Sequence, residues 1–211
     1  MKEFSLLLNS GALVSGIFPV PIYKKPLDRP LTENEVKLVQ PSSWVTRPGS
    51  DNLRTDNTKI LHQPGFFLIK KFIESSINDF LENIISPNPN IELYITQSWL
   101  NFNSKGQRHH KHFHANSILS GVMYFNTTKN DFISFYSSIR PEIHLMNNPN
   151  WWNISRISMP VQTGDLIIFN SKLEHGVEEV KEDNHTRISL AFNTWFKGEI
   201  GSEEGLTKLV L

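Results

Sequence analysis

The chain contains no cysteine in 211 residues. Disulfide frameworks, thiolate metal sites and cysteine nucleophiles are excluded together, so a bound metal must rely on nitrogen and oxygen donors. Net charge is absent too. Lys and Arg number 21 against 21 Asp and Glu, which leaves no basic footprint for nucleic acid. No apolar run approaches the roughly 20 residues that a membrane-spanning helix needs. The N-terminus is a poor secretory leader, because Glu3 offsets Lys2 and Asn9, Ser10 and Gly11 interrupt its apolar stretch; the expectation is a cytoplasmic protein. One further absence is local: no Asp or Glu lies between Leu93 and Asn130.

That acid-free stretch carries the densest chemistry in the sequence. His109, His110, His112 and His114 are four of the eight histidines, and imidazole, mostly neutral near pH 7, is a common transition-metal ligand. In a strand, residues two apart project from one face, so His112 and His114 can reach one ion, and His110 shares their parity. By itself such a run is more often a solvated loop that binds metal adventitiously. A single His175 in D-L-I-I-F-N-S-K-L-E-H-G and Arg187 in T-R-I-S-L-A-F-N change that reading. Alternation from 187 onward puts Ile188, Leu190, Phe192 and Phe196 on a core face. Arg187, Ser189, Ala191, Asn193 and Trp195 fall on a mixed face suited to a polar ligand.

The length fits a single domain, 1–211. Residues 1–90 read as an N-terminal extension and covering helices, 91–196 as the β core and 197–211 as a C-terminal tail. Thr32 and Glu35 form a capping-box pattern, predicting a helix over 32–40 stopped before Pro41. Ile73, Ile77, Phe80, Leu81, Ile84 and Ile85 predict a second helix over 72–85. From Ile91 the pattern changes to short strands at 91–102, 117–126, 131–137, 156–161, 165–170, 176–181 and 186–196, separated by turn residues. The fold class is therefore mainly β with flanking helices, an antiparallel sandwich or barrel. Residues 138–155 form one long connection, a candidate lid. Trp99 is expected inside the barrel and Trp151 and Trp152 as anchors of the long loop, with a substrate role for Trp151, Trp152 or Arg140 at the barrel mouth as the alternative. His62, His144 and His185 are expected on the surface or in loops.

F-P-V-P near residue 19, S-W-L-N at 98–101, H-F-H-A-N-S-I-L-S-G-V-M-Y-F at 112–125, G-D-L-I-I-F at 164–169, H-G-V at 175–177 and R-I-S at 187–189 occur in that order. Together they resemble the oxygenases that depend on Fe(II) and 2-oxoglutarate, in particular a group of small members with an H-x-H motif. The resemblance implies a double-stranded β-helix, that is, a jelly-roll or cupin-like fold. It implies His112 as first iron ligand, His114 at the second position of the H-x-D/E motif and His175 as distal ligand. It further implies Arg187 on the distal carboxylate of 2-oxoglutarate, since a guanidinium pairs with a carboxylate in bidentate fashion. Ser189 is then its R-x-S partner and Tyr124 a hydroxyl donor to the same carboxylate, with Asn101 and Asn193 touching co-substrate or substrate. The reaction so implied converts 2-oxoglutarate and O2 to succinate and CO2 while hydroxylating a small-molecule, protein or peptide substrate.

One departure from the family pattern is chemical. The usual non-haem iron site has two histidines and one carboxylate, and the segment that supplies the carboxylate has none. Either His114 replaces it, or two protein ligands bind and water fills the gap. Three neutral ligands leave the ion one unit more positive, favouring anionic 2-oxoglutarate and altering metal preference. Two other functions remain open on these residues: a cupin-like three-histidine metalloenzyme that does not use 2-oxoglutarate, and a non-catalytic β-sandwich binding module.

Overall fold

The computed structural model describes residues 5–49, 52–87, 91–137, 148 and 150–211. Its strands, in chain order, are β1 (Ser5–Leu7), β2 (Leu13–Ser15), β3 (Ile22–Pro26), β4 (Thr46–Pro48), β5 (Leu53–Thr55), β6 (Ile91–Ser104), β7 (His109–His112), β8 (Leu119–Asn126), β9 (Phe132–Tyr136), β10 (Arg156–Pro160), β11 (Asp165–Asn170), β12 (His175–Val177), β13 (Thr186–Ile200) and β14 (Leu209–Val210). They form a large sheet, β3-β11-β8-β13-β6-β5-β4, a four-stranded sheet, β10-β9-β12-β7, and a separate β1-β2 hairpin. The two main sheets face each other as an antiparallel sandwich. Each predicted strand has a counterpart, although the one expected over 176–181 is confined to His175–Val177, and β13 continues through to Ile200, where β14 pairs with it.

The large sheet holds its register through β13, which is hydrogen-bonded to β6 from Thr186 to Gly198 and to β8 from Ile188 to Asn193. Its outer face is apolar: Leu100, Phe102, Leu119, Met123, Phe125, Leu166, Ile168, Ile188, Leu190 and Phe192 join one buried cluster. Helix α2 (Phe67–Phe80) closes that cluster with Ile69, Ile73, Ile77 and Phe80. Along β6 the core-facing positions change parity, from Leu93 and Ile95 to Leu100 and Phe102, because Thr96 is an extra residue where the pairing shifts between Asn193 and Thr194. The inner face meets the small sheet in a second cluster, Tyr124, Ile133, Phe135, Val161, Ile167 and Phe169.

Both predicted helices exist, with one boundary corrected. Helix α1 (Glu33–Leu38) starts at the Thr32–Glu35 capping box. Helix α2 begins five residues before the predicted start, because two single-turn segments, Ile60–His62 and Pro64–Phe66, wind directly into it. Its last turn, Leu81–Ile85, is π-helical. The wider turn breaks the 3.6-residue stripe and leaves Ile84 and Ile85 on the surface at 51% and 38% exposure.

Of the long connection, residues 138–147 and 149, with Arg140 and His144, lie outside the described residues, so the lid expectation falls there. Trp151 and Trp152, expected to anchor the loop, stand exposed at 80% and 50%. At Gly121 on β8 an added Cβ would collide with the Phe192 ring and lie 2.9 Å from the Ile167 carbonyl oxygen. Gly121→Ala should therefore destabilise the protein by about 1–3 kcal/mol, read as a lower midpoint in urea unfolding.

Candidate metal centre

Paired strands carry the cavity floor as rungs. Arg187 lies beside Asn103, Ser189 between Asn101 and Tyr124, and Ala191 between Trp99 and Val122. All of these side chains line one cavity, roofed by His109, His112, His114, Ile133, His175 and Val177 from the opposite sheet and its turns. The alternation read from the sequence thus separates core from cavity along β13. Asn193, on the same face, lies beyond the last cavity position. Its Oδ1 accepts from Ser120 Oγ at 2.8 Å, inside a buried hydroxyl network with Ser171 and Ser117.

His112, His114 and His175 converge, with one ligand atom from each lying within 4.8 Å of the others. His112 ends β7 and His175 begins β12, directly opposite in the ladder. His114 stands in the turn after β7, fixed by its N–H bonding to the Ser171 carbonyl at 2.9 Å. His112 Nδ1 is 2.8 Å from the His110 carbonyl and His175 Nδ1 is 2.9 Å from the Leu173 carbonyl. A carbonyl can only accept, so both Nδ1 atoms carry the proton and both Nε2 lone pairs are left for a ligand. Trp99 sits beside His114 at 6.1 Å between ring centroids, and Phe169 beside His175 at 4.5 Å.

The imidazoles are held neutral. Burial depresses His112, His114 to about 4 and His175 to about 3, and neighbouring histidines add to the effect. A neutral imidazole is the metal-binding form.

The histidine run differs from the alternation argument in one respect. His175 pairs with His112 but Val177 pairs with His109, two residues against three, so β7 carries a bulge. The bulge flips parity, and His109 rather than His110 turns into the cavity. Sequence reasoning also missed Asp131, whose Oδ1 accepts from Arg187 Nη1 at 2.9 Å. His185, expected on the surface or in a loop, stands in the loop before β13 and lies against the same carboxylate, with Nε2 3.8 Å from Asp131 Oδ2. No local pattern marks either residue, since 56 positions separate Asp131 from Arg187.

A larger groove of about 800 Å³, lined by Val20, Ile84, Phe113, Ile118 and Lys172 among others, shares no lining residue with the histidine cavity. It is mainly apolar, and none of the converged histidines lines it.

Three converging histidines and an arginine in one cavity of this antiparallel fold form a group that could hold a metal ion. Residues 97–193 match the family model described as "Putative 2OG-Fe(II) oxygenase"; 2OG-Fe(II) oxygenases are oxidoreductases that take Fe(II) and 2-oxoglutarate. No curated protein matches by sequence. Solved structures share the fold. An oxidoreductase of the 2OG-Fe(II) oxygenase family from Burkholderia pseudomallei aligns at 14% identity over 82% of this chain and 83% of that one, TM-score 0.57. HygX from Streptomyces hygroscopicus, with nickel and 2-oxoglutarate bound, aligns at 10% identity over 83% and 82%, TM-score 0.56. A prolyl-4-hydroxylase from Pseudomonas putida aligns at 9% identity over 83% and 94%, TM-score 0.53.

The depressed histidines make stability depend on pH with a definite sign. The unfolded chain protonates them near pH 6.5, while the folded chain resists until about 4 for His114 and 3 for His175. Stability is thus present above pH 6.5 and lost as pH falls toward 4. Metal-free protein should show a falling melting temperature across that window, and His175→Gln should flatten the slope.

Proposed function

We propose that this protein is an Fe(II)- and 2-oxoglutarate-dependent dioxygenase in which His112, His114 and His175 hold the iron. Arg187, Tyr124 and Ser189 then bind the distal carboxylate of 2-oxoglutarate. The observation that carries this reading is the Tyr124 hydroxyl, which is buried, has no hydrogen-bond partner among the described residues and belongs to the cavity that holds Arg187 and the histidines. An unsatisfied buried hydroxyl costs about 1–3 kcal/mol, and a carboxylate beside Arg187 would remove that cost. Burial pushes the Tyr124 phenol up, Arg187 only partly opposing it, so the hydroxyl stays a donor.

Iron and 2-oxoglutarate, when bound, supply the oxidation: the co-substrate and O2 give succinate and CO2, and the substrate is hydroxylated. The chain orients and shields. His112 and His175 direct Nε2 inward because their Nδ1–H groups are tied to main-chain carbonyls. Phe169 and Phe135 pack about His175 and limit water. Asn101, on the cavity floor with its Oδ1 accepting from Asn52 Nδ2 at 3.2 Å, would contact co-substrate or substrate. Asn193 would act through Ser120. The nickel and 2-oxoglutarate bound by the similarly folded HygX support the metal and co-substrate assignment. The substrate is a small molecule or a protein or peptide side chain.

Anaerobic addition of iron and 2-oxoglutarate should produce a weak visible charge-transfer band, lost in His175→Ala. Absence of the band, together with no substrate-independent succinate formation, would refute the assignment. Tyr124→Phe breaks no hydrogen bond in the ligand-free fold. It should leave unfolding stability within about 0.5 kcal/mol of wild type while weakening 2-oxoglutarate about five- to tenfold, roughly 1 kcal/mol, by calorimetry. Arg187→Ala should abolish 2-oxoglutarate binding and leave metal uptake intact.

A further inference from the structure

Arg187 does not face the cavity as an uncompensated cation. Its Nη1 donates to Asp131 Oδ1 at 2.9 Å, and Nη1 and Nη2 both donate to the Glu178 carbonyl at 3.2 Å. The ion pair is sealed, with side-chain exposures of 2% for Arg187 and 3% for Asp131. Asp131 is fixed in turn by the Thr128 N–H, which donates to Oδ2 at 2.8 Å, and by main-chain bonds to Thr128 and Val161. Burying a carboxylate is costly even when it is paired, and nothing in the assignment above uses this one.

Its position coincides with an absence. The three converging ligands are neutral imidazoles, and no carboxylate joins them among the described residues. We infer that Asp131 supplies, at the co-substrate arginine, the negative charge that the three-histidine centre lacks. A divalent ion on three neutral ligands keeps both its positive charges. Arg187 adds one and Asp131 removes it, and the two carboxylates of 2-oxoglutarate then neutralise the cavity. With a carboxylate on the metal and an unpaired arginine the sum is the same. The carboxylate has moved from one end of the co-substrate to the other.

This rests on the assignment of Arg187 to 2-oxoglutarate. Its consequence is that Asp131 repels the distal carboxylate and offsets most of the attraction of Arg187. At several ångströms and an effective dielectric near 20 such a repulsion amounts to a factor of about ten or more in affinity.

The test is calorimetry at pH 8 with manganese(II) as a redox-inert ion. Asp131→Asn should bind 2-oxoglutarate about tenfold more tightly than wild type, whereas 2-oxobutanoate, which lacks the distal carboxylate, should bind both equally. Ligand-free Asp131→Asn should melt lower, and 2-oxoglutarate should raise its melting temperature further than it raises that of wild type. Unchanged or weaker 2-oxoglutarate binding by Asp131→Asn overturns the inference. A measurement on wild type alone reaches the same point if the variant does not fold. Replacing the distal carboxylate by a neutral ester, as in the 5-methyl ester of 2-oxoglutarate, should cost less than about tenfold in affinity, and a loss above a hundredfold overturns the inference. The two levels separate cleanly. Wild type that fails to bind 2-oxoglutarate removes the co-substrate assignment and this inference with it. Binding abolished by Arg187→Ala but indifferent to Asp131→Asn removes only the charge role.

Discussion

The structure depends on the pairing of β13 with β6 and β8. Once these long strands are in register, each residue of β13 faces either the helix-covered core or the space between the sheets. Ile188, Leu190 and Phe192 take the first side, Arg187, Ser189 and Ala191 the second. A slip of one residue would bury the arginine in hydrocarbon and deliver three apolar side chains to the cavity. The apolar cluster against α2 therefore does more than stabilise: it is what aims the arginine.

How far this was legible in the sequence follows from the range of each interaction. The alternation of β13 is local, so its two faces could be read directly. The histidine triad was readable because H-x-H and H-G stand in ordered motifs, although only their convergence in space makes them a site. The start of α2 was hidden because two single-turn segments precede it, and its end because a π turn breaks the stripe while Ile84 and Ile85 still look apolar. Strand β7 was missed for a different reason. Its residues, H-H-K-H, have the composition of a solvated loop, and they pair only because β12 lies beside them. The bulge in β7 depends on that partner strand, and so the exchange of His109 for His110 could not be seen in one dimension. Asp131 was invisible on the same ground, since an ion pair across two sheets leaves no spacing to read.

Electrostatics gives the cavity two ends of different character. At the histidine end, burial keeps the imidazoles neutral and main-chain carbonyls fix their tautomers. At the arginine end stands the Arg187–Asp131 ion pair, with the Tyr124 hydroxyl and His185 Nε2 buried and without hydrogen-bond partners among the described residues. The intervening floor of Trp99, Asn101 and Ala191 contributes shape and hydrogen bonds without net charge. Under the proposed assignment a metal ion at the histidine end would attract one carboxylate of the co-substrate, while the arginine end, its charge offset by Asp131, would hold the other through hydrogen bonds.

The histidine run also creates a degeneracy of register. Sliding β7 by two residues along β12 would set His110 where His112 stands and His112 where His114 stands, so an ion would meet imidazoles at the same corners in either frame. Metal affinity alone therefore cannot select the native frame. Discrimination falls to side chains that bind no metal, among them Lys111, whose ion pair with Glu174 spans 2.7 Å. In the slipped frame His109 would replace the lysine and Lys111 would replace Phe113. The register of the histidine site is thus guarded by a residue that takes no part in it, a lysine on the strand's other face.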